Sequence, residues 1–388
     1  MSKPRERIVV ISPTYNEKGN IKRLCEVLLD DVFKKLPEQY DPHILIVDDS
    51  SPDGTGKEVE RLAKKYSNLH LLTNPKKLGL GSAYNKGMHY ALEELRADII
   101  FQFDADFQHD PTRIIPMVKK IEEGYDLVLG ARYIPGGSIP DTWGMHRKFL
   151  SVVGNQIIRF VITDFSIHDW TTGYRAIKRS VVEAILPEMN SETFMGYTFQ
   201  VGMLHKAIRH GFKVAEVPIH FVDRTYGKSK IGTEYIKNVL LFIFKVRIRE
   251  ITNLRIFKFG AVGLMGALVQ LVALQCLRLF LTFSVANLLA IELAIVSNFI
   301  WNNIWTFADR HLTLNKIPSK FLQFNLASAG SIVIQEVVAI LGEQFFGLFT
   351  LFYLGTFAVD TGIIYAITGI GIGMIWNYVA YNRLVWKK

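Results

Sequence analysis

Four apolar stretches of membrane-crossing length occupy the last third of the chain, at about 257–280, 285–307, 320–343 and 360–382. Each supplies the roughly 20 residues that a helix needs to span a hydrocarbon core. Inside lipid the backbone must satisfy its own hydrogen bonds, so such stretches are predicted as helices. Charge follows the same division. Residues 255–388 carry nine Lys/Arg and five Asp/Glu, against 36 and 31 in the first 254. The linker 308–320 holds Arg310, Lys316 and Lys320, and the tail holds Arg383, Lys387 and Lys388. The linker 281–284 has no charge and 344–359 has no Lys or Arg. The positive-inside rule then predicts a multi-pass protein whose N-terminal part, middle linker and C-terminus are cytoplasmic.

The net charge of +9 comes without a long Lys/Arg cluster interleaved with aromatics, so nucleic acid is not an expected partner. An anionic membrane surface or a phosphate-bearing substrate accounts for the charge better. Cys25 and Cys276 lie in unrelated surroundings, which excludes a disulfide framework and a structural zinc site. The first residues are too short and too polar an apolar segment to be a signal peptide.

The membrane half carries a weak internal repeat. Phe259 and Gln270 recur 65 residues later as Phe324 and Gln335, while Asn298-Phe299 and Asn303 recur 79 residues later as Asn377-Tyr378 and Asn382. Two helical hairpins entering from the same side fit this pattern. The four asparagines suit hydrogen bonding between helices or contact with headgroups. Glu292, Glu336, Arg278 and Asp360 lie in or beside apolar stretches, where charge is costly and is usually functional or paired. Ahead of these helices, residues 233–254 combine an apolar run (Val239 to Phe244) with Lys245, Arg247 and Arg249, the composition of an interfacial helix.

The first 232 residues alternate short β-rich runs with helical patterns. Ile8-Val9-Val10-Ile11, Ile44-Leu45-Ile46-Val47, Leu69-His70-Leu71-Leu72 and Ile99-Ile100-Phe101-Gln102-Phe103 read as strands. Between them, 20–29, 59–66 and 81–95 carry helical spacing. This order predicts an α/β fold with a mostly parallel sheet covered by helices, and ligands beyond the carboxyl ends of its strands. Polar residues follow three strands there: Thr14-Tyr15-Asn16-Glu17, Asp48-Asp49 and Asp104-Ala105-Asp106. Two carboxylates spaced i, i+2 after a buried strand can reach one Mg²⁺ or Mn²⁺, hard cations that commonly bridge a carboxylate and substrate phosphates. Gly79-Leu80-Gly81 and the Gly-rich stretch from Gly130 to Gly137 match neither common phosphate-loop pattern. Within the second, Arg132 is suited to phosphate recognition.

Five blocks then occur in a fixed order: Pro13-Thr14-Tyr15-Asn16-Glu17, Val47 to Thr55, Gly79 to Ala83, Asp104 to Pro111, and Gly130-Ala131-Arg132-Tyr133. They resemble family-2 inverting glycosyltransferases of the GT-A (Rossmann-like) fold, and within them the polyprenol-phosphate enzymes typified by dolichol-phosphate mannose synthase. Thr172-Gly173-Tyr174-Arg175, Glu216-Val217-Pro218 and the stretch from Arg224 to Lys230 complete the pattern. Residues 255–386 resemble the GtrA-like four-helix membrane domain, for which lipid transfer or flipping has been suggested.

The resemblance implies an organisation and a set of roles. A GT-A domain would span 1–232, an interfacial region 233–254, and the membrane domain 255–388. Pro13, Tyr15, Glu17, Val47 and Asp49 would hold the nucleotide's base and ribose. Asp104, Ala105 and Asp106 would contact the donor's ribose, diphosphate and metal, with Gln108 completing a Mg²⁺ or Mn²⁺ site. Arg132 and Arg147, with Ser151 nearby, would bind the lipid phosphate. Arg224 and Lys230 would close over the donor diphosphate. Asp104, Asp106 and Arg132 form the implied catalytic set. Two departures stand out: Ser50 and Ser51 follow the paired acids where the family often has Asp or Asn, and His146 precedes Arg147.

The expected activity is transfer of a sugar from a nucleotide to a polyprenyl or dolichyl phosphate at the cytoplasmic face. Mannose from GDP-mannose is the first expectation. UDP-glucose is the alternative donor, and a lipid-linked sugar transporter with a binding-only soluble half is the alternative class. A processive polysaccharide synthase would carry Gln-x-x-Arg-Trp, and no such string occurs.

Overall fold

Side chains of the first strand alternate between two cores. Ile8 and Val10 lie with Ile44, Ile46, Phe101 and Val128 on one side of a sheet; Val9 and Ile11 lie with Leu45, Val47, Ile100 and Leu129 on the other. This period of two, on a run apolar at every position, is what a strand covered on both faces requires. The computed structural model describes residues 4–189, 198–223, 233–354 and 357–387. They form two compact units, Met1–Arg247 and Ile248–Lys388.

In the first unit the elements run β1 (Glu6–Thr14), α1 (Lys18–Glu26), β2 (Tyr40–Asp48), α2 (Thr55–Ala63), β3 (Leu69–Thr73), α3 (Leu80–Glu93), β4 (Ile99–Gln102), α4 (Ile114–Glu122), β5 (Leu127–Ala131), α5 (Met145–Ile162), β6 (Arg175–Lys178), α6 (Arg179–Ile185), α7 (Thr198–Arg209), β7 (Val214–Pro218) and α8 (Thr233–Asn253). The seven-stranded sheet has the order β3-β2-β1-β4-β6-β5-β7. β6 runs antiparallel to β4 and β5, and the remaining pairs are parallel. Helices α1, α2 and α4 cover one face, while α3, α6 and α7 and parts of α5 and α8 cover the other. The first four strands stand where the apolar runs predicted them. Strands β5 to β7 and helix α5 come from segments in which no element was predicted.

Helix α8 has two apolar faces. Val239 and Ile243, spaced i, i+4, are buried in the core of the first unit, with Ile243 fully so. Leu241, Phe244 and Ile248 are exposed along the opposite side. Lys245 and Arg249 flank that exposed stripe, so the helix is not simply apolar on one side and basic on the other.

The second unit contains α9 (Arg255–Leu277), α10 (Phe283–Trp301), α11 (Ile317–Phe346), β8 (Thr350–Leu354), β9 (Phe357–Asp360) and α12 (Thr361–Ala380). Its four helices are long and apolar enough to cross a membrane, at the four stretches read from the sequence. Strands β8 and β9 pair antiparallel between α11 and α12. Asp360 caps α12 by accepting from the Ile363 amide at 3.1 Å, which accounts for that carboxylate. Arg278 lies 5.6 Å from the Phe283 ring centroid. An aromatic cluster joins the ends of the helices, with Phe307 and Trp386 stacked at 4.6 Å and Phe324 and Tyr381 at 4.2 Å.

Candidate active site

The carboxyl ends of β1, β2 and β4 meet, because Pro13 and Val47 are in register and Ile11 is in register with Gln102. At each end the chain makes a left-handed turn on a residue other than glycine: Asn16 (φ 60°), Ser50 (φ 54°) and Phe107 (φ 57°). Such conformations carry strain and cluster where a surrounding site holds them. Ser50 is the position where the family often has Asp or Asn, residues that tolerate this region better. Here the Ser50 hydroxyl donates to the Asn74 carbonyl instead.

The turn after β1 is tied down by the block that follows β2. The amides of Asn16, Glu17 and Lys18 donate to Ser51 Oγ, Thr55 Oγ1 and Asp53 Oδ2 at 3.0, 3.0 and 3.1 Å. Tyr15 and Glu17 are half-buried on this turn. Lys77 Nζ sits 4.0 Å from the centre of the Tyr15 ring, and Glu17 Oε2 accepts from Asn20 at 2.9 Å. Asp49 accepts from Asn74 Nδ2 (2.7 Å) and from the amides of Leu78 (3.0 Å) and Gly79 (2.9 Å). It therefore braces the loop leading into α3. Val47 and Ala105 are buried at 0% and 3% exposure, so neither presents its side chain to a ligand.

After β4, Asp104 Oδ1 accepts from the Tyr84 hydroxyl at 2.9 Å, and Asp106 Oδ1 from the Gln108 amide at 3.1 Å. Burial and the adjacent Asp104 charge raise the Tyr84 pKa well above the usual phenol value, so Tyr84 remains a donor. Gln108 Nε2 donates to the Val222 carbonyl at 3.2 Å, which fixes the amide so that its carbonyl oxygen is the atom to present to a cation. Among the described residues no group of three His, Cys, Asp or Glu could hold a metal ion. Two carboxylates and an amide oxygen nonetheless fit a hard cation that takes its remaining ligands from substrate phosphates.

Tyr84 escaped the sequence reading although it directly follows the Gly79 to Ala83 block. Gln200 escaped it as well. A side chain at Gly173 would begin 3.3 Å from Asp104 Oδ2 and 3.7 Å from Gln200 Nε2. The Gln200 amide is buried without a hydrogen-bond partner. Arg175, from the same block as Gly173, is fully buried and donates to the carbonyls of Thr172, Gln200 and Trp170. It links this block to the first turn of α7. Burial lowers its pKa to about 9.

Arg132 lies at the end of β5. Its Nε and Nη2 each reach an oxygen of Asp169 at 2.7 Å, and Nη2 also donates to Thr171 Oγ1 at 2.8 Å. The Asp169 side chain is fully buried. Burial alone would raise its pKa, but the Arg132 charge and hydrogen bonds outweigh that and hold the carboxyl below the usual carboxylate range. Nothing local in the sequence singled out Asp169, which lies 37 residues from its partner. Arg147, near the start of α5, is half-buried over the Trp143 ring at 3.8 Å and 3.9 Å from Asp223. Phe221 joins the two cations, 5.3 Å from Arg132 and 5.7 Å from Trp143 between ring centres. Ser151 Oγ meets the Tyr133 hydroxyl at 2.5 Å. The structure thus joins Arg132 and Arg147 through the Phe221–Trp143 pair, and Tyr133, whose ring centre is 5.1 Å from the Arg132 guanidinium, connects Arg132 to Ser151. Arg224 and Lys230 lie outside the described residues.

Helix α5 has no acidic residue and exposes Met145, Phe149, Val152 and Phe160 together with His146. A cationic helix with bare large apolar side chains suits an anionic lipid surface. In the sequence only its His146, Arg147 and Ser151 stand out.

The sequence matches the family model of glycosyl transferase family 2 over residues 9–186 and that of the GtrA/DPMS transmembrane domain over 258–386. A dolichol-phosphate mannosyltransferase of Pyrococcus furiosus is 31% identical over 382 residues, 98% of this chain and 99% of that protein. A polyprenol monophosphomannose synthase of Mycolicibacterium smegmatis is 36% identical over 248 residues, 64% of this chain and 89% of that protein. Among solved structures, a mannosyltransferase of Pyrobaculum calidifontis in complex with GDP-Man and Mn²⁺ aligns with a TM-score of 0.40 at 16% identity, covering 78% of this chain and 88% of that one.

Proposed function

From the membership of this chain in glycosyl transferase family 2, with a GtrA/DPMS transmembrane domain behind its catalytic domain, we propose that it transfers mannose from GDP-mannose to a polyprenyl phosphate at the cytoplasmic face of a membrane. The observation that carries this reading is the near full-length match, across both halves, to a dolichol-phosphate mannosyltransferase. The proposed division of labour is catalysis by residues 1–232, interfacial contact by 233–254 and membrane insertion by 255–388.

The chemistry asks little of the protein in proton transfer. A phosphate monoester has a second pKa of about 6 and is largely dianionic near neutrality, so it is a nucleophile without a general base. One of its oxygens attacks the anomeric carbon. The bond from that carbon to the diphosphate oxygen breaks, GDP departs with the electron pair, and the configuration inverts. Asp104, Asp106 and Gln108 would hold Mg²⁺ or Mn²⁺, which supplies positive charge to the diphosphate. Tyr84 orients Asp104 through its 2.9 Å bond. Pro13, Tyr15 and Glu17 would form the wall for the base and ribose, with their turn tied down by Ser51, Thr55 and Asp53, while Val47 and Asp49 would complete it from the end of β2.

Arg147 and Arg132 would offset the repulsion between the incoming phosphate and the donor. Their shares differ. Arg132 spends Nε and Nη2 on Asp169 and Thr171, so its charge is already countered. Arg147, 34% exposed with one long ion pair, would contribute more to the acceptor. Arg224 and Lys230 would cover the donor diphosphate.

The test is transfer from radiolabelled GDP-mannose and UDP-glucose to prenyl phosphate by the purified full chain, with Mg²⁺ or Mn²⁺. Mannosyl lipid from GDP-mannose alone is expected. Product from UDP-glucose alone would replace the donor assignment, and binding of both without transfer would favour a transporter.

A further inference from the structure

Just past β7 the chain bonds in turn to two parts of the site. The Ile219 carbonyl accepts from the Ser138 amide and the Phe221 amide donates to the Ser138 carbonyl, both at 3.0 Å. Val222 then bonds to Gln108 instead: its amide donates to the Gln108 carbonyl at 3.1 Å, and its carbonyl accepts from Gln108 Nε2 at 3.2 Å. Val222 is thus the main-chain partner that orients the Gln108 amide. Asp223, the next residue, bonds to the segment ahead of α5. Its Oδ1 accepts from Trp143 Nε1 at 2.9 Å and its Oδ2 from the Thr142 hydroxyl.

A carboxylate here has a cost, because its charge opposes an incoming phosphate. Ion pairing with Arg147 at 3.9 Å is too long to account for it. Its two hydrogen bonds account for it better. Trp143 is buried at 7% exposure, so Asp223 satisfies an indole N–H that would otherwise lack a partner. The Arg147 guanidinium rests 3.8 Å from the centre of that ring, and fixing the indole fixes the platform beneath the cation. The Thr142 and Trp143 hydrogen bonds, with the Arg147 charge, hold the Asp223 carboxyl below the usual carboxylate range, so it is an ionised acceptor near neutrality.

We propose that Asp223 is a positioning residue that ties Arg147, on the acceptor side, to Gln108, on the metal side. Through Trp143 it sets where the guanidinium stands. Through the adjoining Val222 it anchors the main chain that orients the Gln108 amide. Transfer needs the attacking phosphate oxygen about 3–3.5 Å from the anomeric carbon. A single anchored dipeptide between the two binding ends serves that requirement. The inference rests on the proposed reaction, in which Gln108 faces the donor's metal and Arg147 the acceptor phosphate, and adds to it a residue and a link between the two ends.

Two equilibrium measurements on the purified full chain test this: Mn²⁺ binding in the presence of GDP, read by electron paramagnetic resonance, and binding of a radiolabelled short-chain prenyl phosphate. Asp223→Ala should weaken the acceptor about tenfold, the scale of one lost charge-assisted hydrogen bond. It should also weaken Mn²⁺ about fivefold, less than the roughly 10–100-fold cost of losing a direct partner of a metal ligand. Arg147→Ala should weaken the acceptor and leave Mn²⁺ binding alone. Asp223→Asn, whose amide oxygen still accepts from Trp143, should restore both affinities. Trp143→Phe keeps a ring beneath Arg147 but removes the donor to Asp223. It should weaken Mn²⁺ in the same direction, which guards against a folding defect peculiar to Asp223→Ala. Unchanged Mn²⁺ affinity in Asp223→Ala and Trp143→Phe overturns the proposal, as does an Asp223→Asn variant as defective as Asp223→Ala. Both affinities are read without turnover, so a wild type that transferred no sugar would count against the proposed reaction and not against this link.

Discussion

Arg132 grips Asp169 with two hydrogen bonds of 2.7 Å, and the carboxylate has no exposed surface. Removing one partner of a buried pair leaves the other charge uncompensated, at a cost of about 3–5 kcal/mol. Arg132→Ala is therefore expected to lower the thermal midpoint sharply before any effect on the acceptor can be read. Adding Asp169→Asn should recover part of the loss. The Asp169 pKa is depressed, so the pair's contribution is full above the unfolded carboxylate value of about 3.9 and is lost only as pH falls below it. Equal midpoints for wild type and Arg132→Ala would refute the structural role.

Arg147 separates function from folding more cleanly. Its pair with Asp223 is long and partly exposed, a geometry contributing about 0–1 kcal/mol. Arg147→Ala should leave the thermal midpoint within a few degrees of wild type and raise the KM for prenyl phosphate at least tenfold, with nucleotide affinity unchanged. Steady-state kinetics with varied acceptor decide it. An unchanged acceptor KM would remove Arg147 from the site.

These two arginines show what the sequence could and could not convey. Strands β1, β2 and β4 and their polar ends were legible because short, mostly apolar runs give way to polar residues at Ser12, Asp48 and Asp104. Strand β6 was not, because it has only four residues, two of them cations, and pairs antiparallel between distant neighbours. Arg132 stood out in its Gly-rich stretch, yet its partner Asp169 carries no local pattern. Asp49 and Ser51 were legible as a motif, but only the hydrogen bonds reveal that they brace two turns. Asn303 and Asn382 stood out through the repeat; that they accept from Trp386 and Arg310 depends on packing.

His109 looks like a candidate acid or base but is built as an aromatic spacer. Its ring lies 5.2 Å from Tyr174 and 5.0 Å from Phe221 between centres. Burial, helped by the Arg132 charge, pushes its pKa from 6.5 down to about 3. The unfolded chain takes up a proton below pH 6.5 while the folded chain refuses it until about 3. Its contribution to stability is thus full above 6.5 and is lost as pH falls from 6.5 toward 3. His109→Phe should flatten the fall of the thermal midpoint between pH 7.5 and 5. Parallel wild-type and variant curves would show that this histidine is not held neutral.

The carboxylates after β4 give the metal prediction. Asp106→Asn keeps an oxygen to accept from the Gln108 amide but loses the charge that a cation needs. Turnover should fall at least about a hundredfold, the scale expected when metal charge stabilisation is lost. Chelation of the wild type should abolish transfer, and Mg²⁺ or Mn²⁺ should restore it. Tyr84→Phe, which removes the donor to Asp104, should give a smaller loss with the metal requirement retained. Full activity of Asp106→Asn would move the donor site elsewhere.

Helix α8 belongs to two environments at once, and truncation separates them. Val239 and Ile243 sit in the catalytic unit's core at 7% and 0% exposure. Burying an aliphatic side chain of this size contributes about 1.5–3 kcal/mol. A fragment ending at residue 232 should therefore unfold at a lower temperature than one ending at 253. The longer fragment also keeps Leu241, Phe244 and Ile248, which are exposed beside Lys245 and Arg249. It should sediment with anionic vesicles, more weakly as salt rises because surface charges are screened. The shorter fragment retains only α5, with Phe149 and Phe160 exposed, and should bind the same vesicles less tightly. Its transfer to a short-chain acceptor should suffer mainly through KM. Equal stability and equal vesicle binding of the two fragments would show that α8 neither completes the catalytic core nor contacts lipid.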